Sequence, residues 1–177
     1  MKDYKQFIEA HRDFPKKGVV FRDFTPLIKN PEAFRDAIND IKKHFNGKDI
    51  NKIAAIESKG FIIGSALAYE MGLPLVLIRK PSLTPGEVIS EKFIKEYGEG
   101  EYQVKNGTFT SQDNVLIVYD IMAGPGATRA VIHLVEKQKA KVVGCAYVIE
   151  LEYLHGREQL KGYDLFSLVK FGDKYEV

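Results

Sequence analysis

Apolar residues run along this chain in two rhythms. Four short segments are apolar at nearly every position: residues 52–57 (Lys-Ile-Ala-Ala-Ile-Glu), 75–78 (Leu-Val-Leu-Ile), 115–118 (Val-Leu-Ile-Val) and 142–149 (Val-Val-Gly-Cys-Ala-Tyr-Val-Ile). A strand that is apolar on both sides is buried on both, so these runs predict strands of a parallel sheet covered on its two faces. Helical spacings lie between them. Phe34, Ala37, Ile38, Ile41 and Phe45 share one helix face behind Asn30-Pro31-Glu32, where Asn serves as cap and Pro is tolerated in the first turn, and Gly47 is the stop. Residues 61–71 are almost wholly apolar and end at Gly72 and Pro74, which predicts a buried helix. Ala127, Ala130, Val131, Leu134, Val135 and Gln138 keep helical spacing, with Gly124 as cap and Pro125 in the first turn. Strand and helix alternate, so the fold class is α/β: a doubly wound, mainly parallel sheet with helices on both faces.

Residues 81–114 interrupt this rhythm, with no strong apolar periodicity of their own, and read as an excursion from a single domain spanning residues 1–177. There is no internal repeat and no low-complexity tract. The 177 residues are 45% hydrophobic and 28% charged, which excludes disorder, and a chain of this length buries enough surface to fold unaided. Lys and Arg number 26 against 24 Asp and Glu, a net charge of +2, too weak a field to point to nucleic acid or an anionic membrane. Cys145 is the single cysteine; it forms no intramolecular disulfide, and with the scattered His11, His44, His133 and His155 it builds no zinc site. The charged start Met-Lys-Asp-Tyr-Lys does not resemble a secretory leader, and no run reaches the length of a membrane span, so a cytoplasmic protein is expected.

Ligands of open α/β sheets sit beyond the carboxyl ends of the strands. Three strand exits carry polar or basic groups there: Glu57-Ser58-Lys59-Gly60, Arg79-Lys80-Pro81-Ser82 and residues 119–128. The last is the most informative. Residues 115–128 read Val-Leu-Ile-Val-Tyr-Asp-Ile-Met-Ala-Gly-Pro-Gly-Ala-Thr, a buried strand delivering an acid and then a small-residue loop into a helix. Glycines let the backbone approach an anion, and the N–H groups and dipole of the helix start favour negative charge there. An ordinary α/β turn accounts for Gly and Pro equally well on composition alone.

This strand, acid, loop and helix resemble the phosphoribosyl pyrophosphate motif of the type I phosphoribosyltransferases. Residues 13–27, Asp-Phe-Pro-Lys-Lys-Gly-Val-Val-Phe-Arg-Asp-Phe-Thr-Pro-Leu, are similar to the N-terminal signature of the adenine phosphoribosyltransferase family. Glu57-Ser58-Lys59-Gly60, Arg79-Lys80-Pro81, Pro85-Gly86, Glu96-Tyr97-Gly98, Glu150-Leu151 and Gly156-Arg157-Glu158 match it in order and spacing. The resemblance implies purine salvage: adenine and 5-phosphoribosyl 1-pyrophosphate give AMP and pyrophosphate, with Mg2+ held mainly by the substrate phosphates and no metal ligand set of the protein's own. It implies a hood over residues 1–30 in which Phe21, with the backbone of Val20 and Arg22, binds the base. Ser58, Lys59, Arg79 and Lys80 meet pyrophosphate. Tyr119, Asp120, Ala123, Gly124, Pro125, Gly126, Ala127 and Thr128 correspond to the ribose and phosphate segment. Residues 81–114 correspond to a mobile loop that closes over the site and carries Glu96, which with Asp120 is expected to be catalytic. The family is usually a homodimer.

The motif departs from the family pattern Asp-Asp-x-x-Ala-Thr-Gly-Gly-Thr, of which only Asp120, Ala123 and Gly126 hold their places. Tyr119 replaces a carboxylate, Pro125 lacks an N–H, and Gly124 and Ala127 lack hydroxyls. Lys59 stands where Arg is usual, Leu83 where Lys is, and Phe93 where Tyr is frequent. Thr128, one residue late, restores a hydroxyl if the loop slips by one position. Two other readings therefore stand beside the transferase of adenine: a non-catalytic or regulatory nucleotide-binding module, and a transferase for another purine. Cys145 and the histidines are assigned to packing and to polar helix surfaces.

Overall fold

The computed structural model describes residues 2–95 and 98–176. Five parallel strands form the central sheet: β3 (Lys52–Ile56), β4 (Leu75–Ile78), β7 (Asn114–Met122), β8 (Lys141–Leu151) and β9 (Asp164–Phe171), in the order β4-β3-β7-β8-β9. Helices α1 (Thr25–Lys29), α2 (Pro31–His44) and α3 (Gly60–Met71) precede β4, and α4 (Gly126–Lys137) joins β7 to β8. Alternate residues of each strand serve opposite faces. Ile53, Leu116, Val118 and Ala146 pack with Ile38 and Ile41 of α2 and Leu67 of α3. Ala54, Ile56, Val115, Ile117 and Cys145 pack with Val131, Leu134 and Val135 of α4. The double burial expected from the continuous apolar runs is therefore present, with helices on both faces.

Local signals act as expected at α2, where the Asn30 side chain accepts a hydrogen bond from Ala33 N at 3.0 Å. Helix α3 lies close against β3 because Gly64 has no side chain: a Cβ there would fall 2.5 Å from that of Ala55. Helix α4 begins at Gly126 with Pro125 at the capping position, one place later than expected. The sequence reading lacked the fifth strand, β9. Its Ser167 interrupts the apolar run yet is buried, because its hydroxyl donates to the buried Glu150 at 2.7 Å.

Two hairpins stand outside the sheet. Strands β1 (Glu9–Arg12) and β2 (Val20–Asp23) pair antiparallel at the N-terminus. Strands β5 (Val88–Lys95) and β6 (Gly98–Lys105) form the second pair within the 81–114 excursion, and Tyr102 and Val104 join the core on the α4 face. Glu91 of β5 accepts hydrogen bonds from His133, at 3.1 Å, and from Lys137, so the hairpin is fastened along α4. Among the described residues no helix is long and apolar enough to cross a membrane.

Candidate active site at the switch point of the sheet

The chain leaves β3 toward β4 on one side and leaves β7 toward β8 on the other, so the carboxyl ends of β3 and β7 flank the point where strand order reverses. A crevice opens at such a point. Here it is a cavity of about 880 Å³. Glu57, Ser58 and Lys59 enter it from β3, Tyr119 and Asp120 from β7, and the loop from Ala123 to Ala127 closes one side. The N-terminal hood contributes Phe21, and the β5–β6 hairpin lies over the opposite side with Lys92, Phe93 and Tyr102.

Each group has a defined setting. The Nζ of Lys59 lies 4.4 Å from the ring centre of Phe21, placing a cation over an aromatic face. Burial pushes the Asp120 carboxyl above its ordinary value, and the charge of Lys59 opposes that shift without cancelling it. Glu57 accepts from the backbone N–H of Lys80 at 2.8 Å and from Arg79 Nε at 3.1 Å. Burial alone would raise the Glu57 carboxyl, but those two donors hold it below its ordinary value. The Tyr119 hydroxyl faces that of Tyr102, and burial raises both phenols, so both stay protonated at neutral pH.

The cavity gathers most of the residues expected from sequence. Phe21, Ser58, Lys59, Lys80, Tyr119, Asp120, Ala123, Gly124, Pro125, Gly126 and Ala127 all line it. Two side chains expected there point elsewhere, and the two hood residues whose backbone is expected there, Val20 and Arg22, do not line it. Thr128 is a correction: it lies on the buried face of α4, and its hydroxyl is 3.0 Å from that of Tyr147, so no slip of the loop returns it to the cavity. Arg79 is tied to Glu57 instead of lining the cavity. Arg22 is buried against the C-terminal segment, donating to the carbonyls of Lys174 and Glu176, with its guanidinium 3.9 Å from the ring centre of Phe171. Val20 pairs with Arg12 in the hood and also does not line the cavity. Glu96 lies outside the described residues. Arg129, His133, Lys92 and Tyr102 line the cavity without having been assigned to it from sequence. Only the tertiary approach of α4 and β5 brings them there, and no local motif marks them.

The phosphoribosyl transferase domain family matches residues 27–176 of the chain. Adenine phosphoribosyltransferase of Thermosipho melanesiensis is 44% identical over 169 residues, covering 96% of this chain and 97% of the relative. The chain belongs to the adenine phosphoribosyltransferase family. Solved members of that family superpose closely. The enzyme from Thermoanaerobacter pseudethanolicus has a TM-score of 0.92 at 37% identity, covering 96% of this chain and 98% of its own. The enzyme from Giardia lamblia, solved with 9-deazaadenine, has a TM-score of 0.92 at 31% identity, covering 97% of each chain. The similarity to the adenine phosphoribosyltransferase family runs along nearly the whole chain.

Magnesium takes few carboxylates and completes its shell with water and substrate phosphates. The cavity suits that habit: Asp120 is its only lining carboxylate among the described residues without a cationic side chain in hydrogen-bond contact, since Glu57 and Glu91 are each engaged by basic side chains. Elsewhere, Glu9, His11 and Asp23 of the hood bring ligand atoms within 4.8 Å of one another, a grouping not foreseen from sequence, although Asp23 also accepts from Thr25.

Proposed function

We propose that the chain transfers the 5-phosphoribosyl group of phosphoribosyl pyrophosphate to adenine, forming AMP and pyrophosphate. The observation that carries this reading is one cavity joining an aromatic platform, an acid at a strand end, two lysines and a glycine-containing loop at a helix start. The C1′–oxygen bond to pyrophosphate breaks, pyrophosphate leaves with the electron pair, and N9 of adenine bonds to C1′ as its proton passes to the departing pyrophosphate. Phe21 offers the flat surface on which a purine stacks. Lys59 and Lys80 supply positive charge where the leaving pyrophosphate gathers negative charge. Asp120 accepts hydrogen bonds from ribose hydroxyls and meets the positive charge that develops on the sugar. Asp120 is the residue that would hold Mg2+, which when bound would supply charge to neutralise the substrate phosphates. The β5–β6 hairpin shields the reacting carbon from water, and Glu96 serves as a second acid on that segment.

The altered loop kept a non-catalytic role and another purine in play. The adenine reading is favoured because relatives carrying the enzyme's name match end to end, and because the Giardia relative is solved with an adenine analogue. A second copy of the chain is proposed to cover the exposed apolar residues Ile62 and Tyr69 of α3 and Leu77 of edge strand β4, of which Tyr69 is 89% exposed. A cytoplasmic setting accords with the lone Cys145, whose thiol burial pushes up to about 12.

The test is AMP formation from adenine, phosphoribosyl pyrophosphate and magnesium, with Asp120→Asn as background. Turnover lost in that variant supports the reading. AMP binding without turnover moves the chain to the regulatory reading, and turnover with another purine alone replaces adenine.

A further inference from the structure

The loop of residues 123–127, which the reading above pairs with the ribose phosphate, carries few side-chain donors. Gly124, Pro125, Gly126 and Ala127 line the cavity, and none carries a hydroxyl or a charge. Pro125 also lacks an N–H, and the hydroxyl of the next residue, Thr128, is turned inward to Tyr147. A phosphate ester seated on backbone groups alone is poorly neutralised, since a helix start supplies only about half an elementary charge.

Arg129 stands in the first turn of α4 and lines the same cavity. Side chains of a helix lean back toward its N-terminus, so a long side chain from this position covers the loop. Its Nη2 donates to the carbonyl of Gln159 at 2.9 Å, in the short turn Arg157–Leu160. The glycine just before that turn abuts the loop: a Cβ on Gly156 would fall 2.8 Å from the carbonyl oxygen of Ala123 and 3.4 Å from the carbonyl carbon of Gly124. The guanidinium is therefore anchored beside the loop by one N–H, with the rest of its planar fork free for an anion. Such a fork grips phosphate through paired, charge-assisted hydrogen bonds.

We propose that Arg129 binds the 5′-phosphate of phosphoribosyl pyrophosphate and of AMP, in place of the hydroxyl donors missing from the 123–127 loop. This assignment rests on the reading above and goes beyond it by naming the residue that replaces the lost contacts. Arg129→Gln is expected to weaken AMP, followed by titration calorimetry, by about tenfold or more while leaving adenosine unchanged, because only AMP carries the ester phosphate. Arg129→Lys keeps the charge without the fork and falls between. Steady-state kinetics read the same effect as a raised KM for phosphoribosyl pyrophosphate with KM for adenine held. The triple variant Gly124→Thr/Pro125→Gly/Ala127→Thr restores loop donors, and in that background Arg129→Gln is expected to cost no more than about threefold.

Equal weakening of AMP and adenosine overturns the assignment, as does no change in either. A loss from Arg129→Gln of the same size in both loop backgrounds also overturns it. Arg129→Gln protein that binds AMP as tightly as unaltered protein refutes this inference alone, whereas unaltered protein that binds no AMP refutes the transferase reading with it.

Discussion

The hydroxyl of Tyr102 lies 3.1 Å from that of Tyr119, joining the β5–β6 hairpin to the end of strand β7. Tyr102 is buried and stacks on Phe93 with ring centres 5.0 Å apart. The residue standing where the family pattern has a carboxylate thus holds a cover over the cavity. An aspartate at that position is too short to reach Tyr102 as the phenol does, so the substitution exchanges charge for attachment of the hairpin.

Removing either hydroxyl leaves the other without its partner. Tyr102→Phe and Tyr119→Phe are each expected to cost about 1 kcal/mol, and a double-mutant cycle should return a coupling of about 0.5 to 1.5 kcal/mol. Amide exchange in residues 98–105 should accelerate in both variants. Additive losses would show that the two hydroxyls do not support one another.

Gly64 permits the close seat of α3 on β3. Gly64→Ala forces a methyl to 2.5 Å from the Ala55 Cβ and is expected to destabilise by about 1 to 3 kcal/mol in urea titrations. Ala55→Gly, added to it, returns the volume and should recover part of the loss. If the double variant is no better than the single one, another cause governs the position.

Glu150 holds β8, β9 and the following turn together. It accepts from Arg157 at 2.7 and 2.6 Å and from Ser167 at 2.7 Å. Burial by itself would raise this carboxyl, but those donors hold it below its ordinary 4.5. A depressed carboxyl contributes stability above the unfolded-state value, and that contribution fades as pH falls through the lower, folded-state value. Glu150→Gln is expected to cost about 2 kcal/mol at pH 7, less than for a fully buried pair because Arg157 keeps some contact with water. The gap between the two proteins should narrow below pH 4.5 in thermal melts. A gap that widens there would reverse the sign argued here.

Much of this fold is legible in the pattern of apolar residues, for reasons that also mark where it stops. Strands β3, β7 and β8 carry unbroken apolar runs because both faces are covered, and β4 keeps its run although Leu77 at the sheet edge is 41% exposed. Strand β9 hides because Ser167 and Lys170 break its run, and only the fold reveals that Ser167 faces Glu150. Strand β1 has no inward face at all, its four residues all exposed. Around the cavity, Lys59, Asp120 and the loop are close to strand exits and so are found by motif, whereas Phe21, inside strand β2, is found only through the resemblance of residues 13–27. Thr128 misled because helical phase, not proximity in sequence, decides where a hydroxyl points. Arg129 and Lys92 enter only through the docking of α4 and the hairpin.

In the proposed reaction, Asp120 sets function against stability in one residue. Burial raises its carboxyl above the ordinary 3.8, and Lys59 only partly offsets this, so the folded state disfavours the charged form. A raised carboxyl costs stability once pH exceeds the unfolded-state value, and the cost is fully expressed above the folded-state value. Asn at this position keeps the shape and removes the buried charge. Asp120→Asn is therefore expected to unfold at a higher temperature at pH 7, by about 1 kcal/mol in stability, with the advantage disappearing below pH 3.8. The same change should lower AMP formation by about a hundredfold or more, since it removes charge facing the sugar as the bond to pyrophosphate breaks. Calorimetry and initial rates on the same preparations check both halves. A less stable Asp120→Asn protein would mean that the attraction of Lys59 outweighs burial, and the residue would then be holding the fold together as well as serving the reaction.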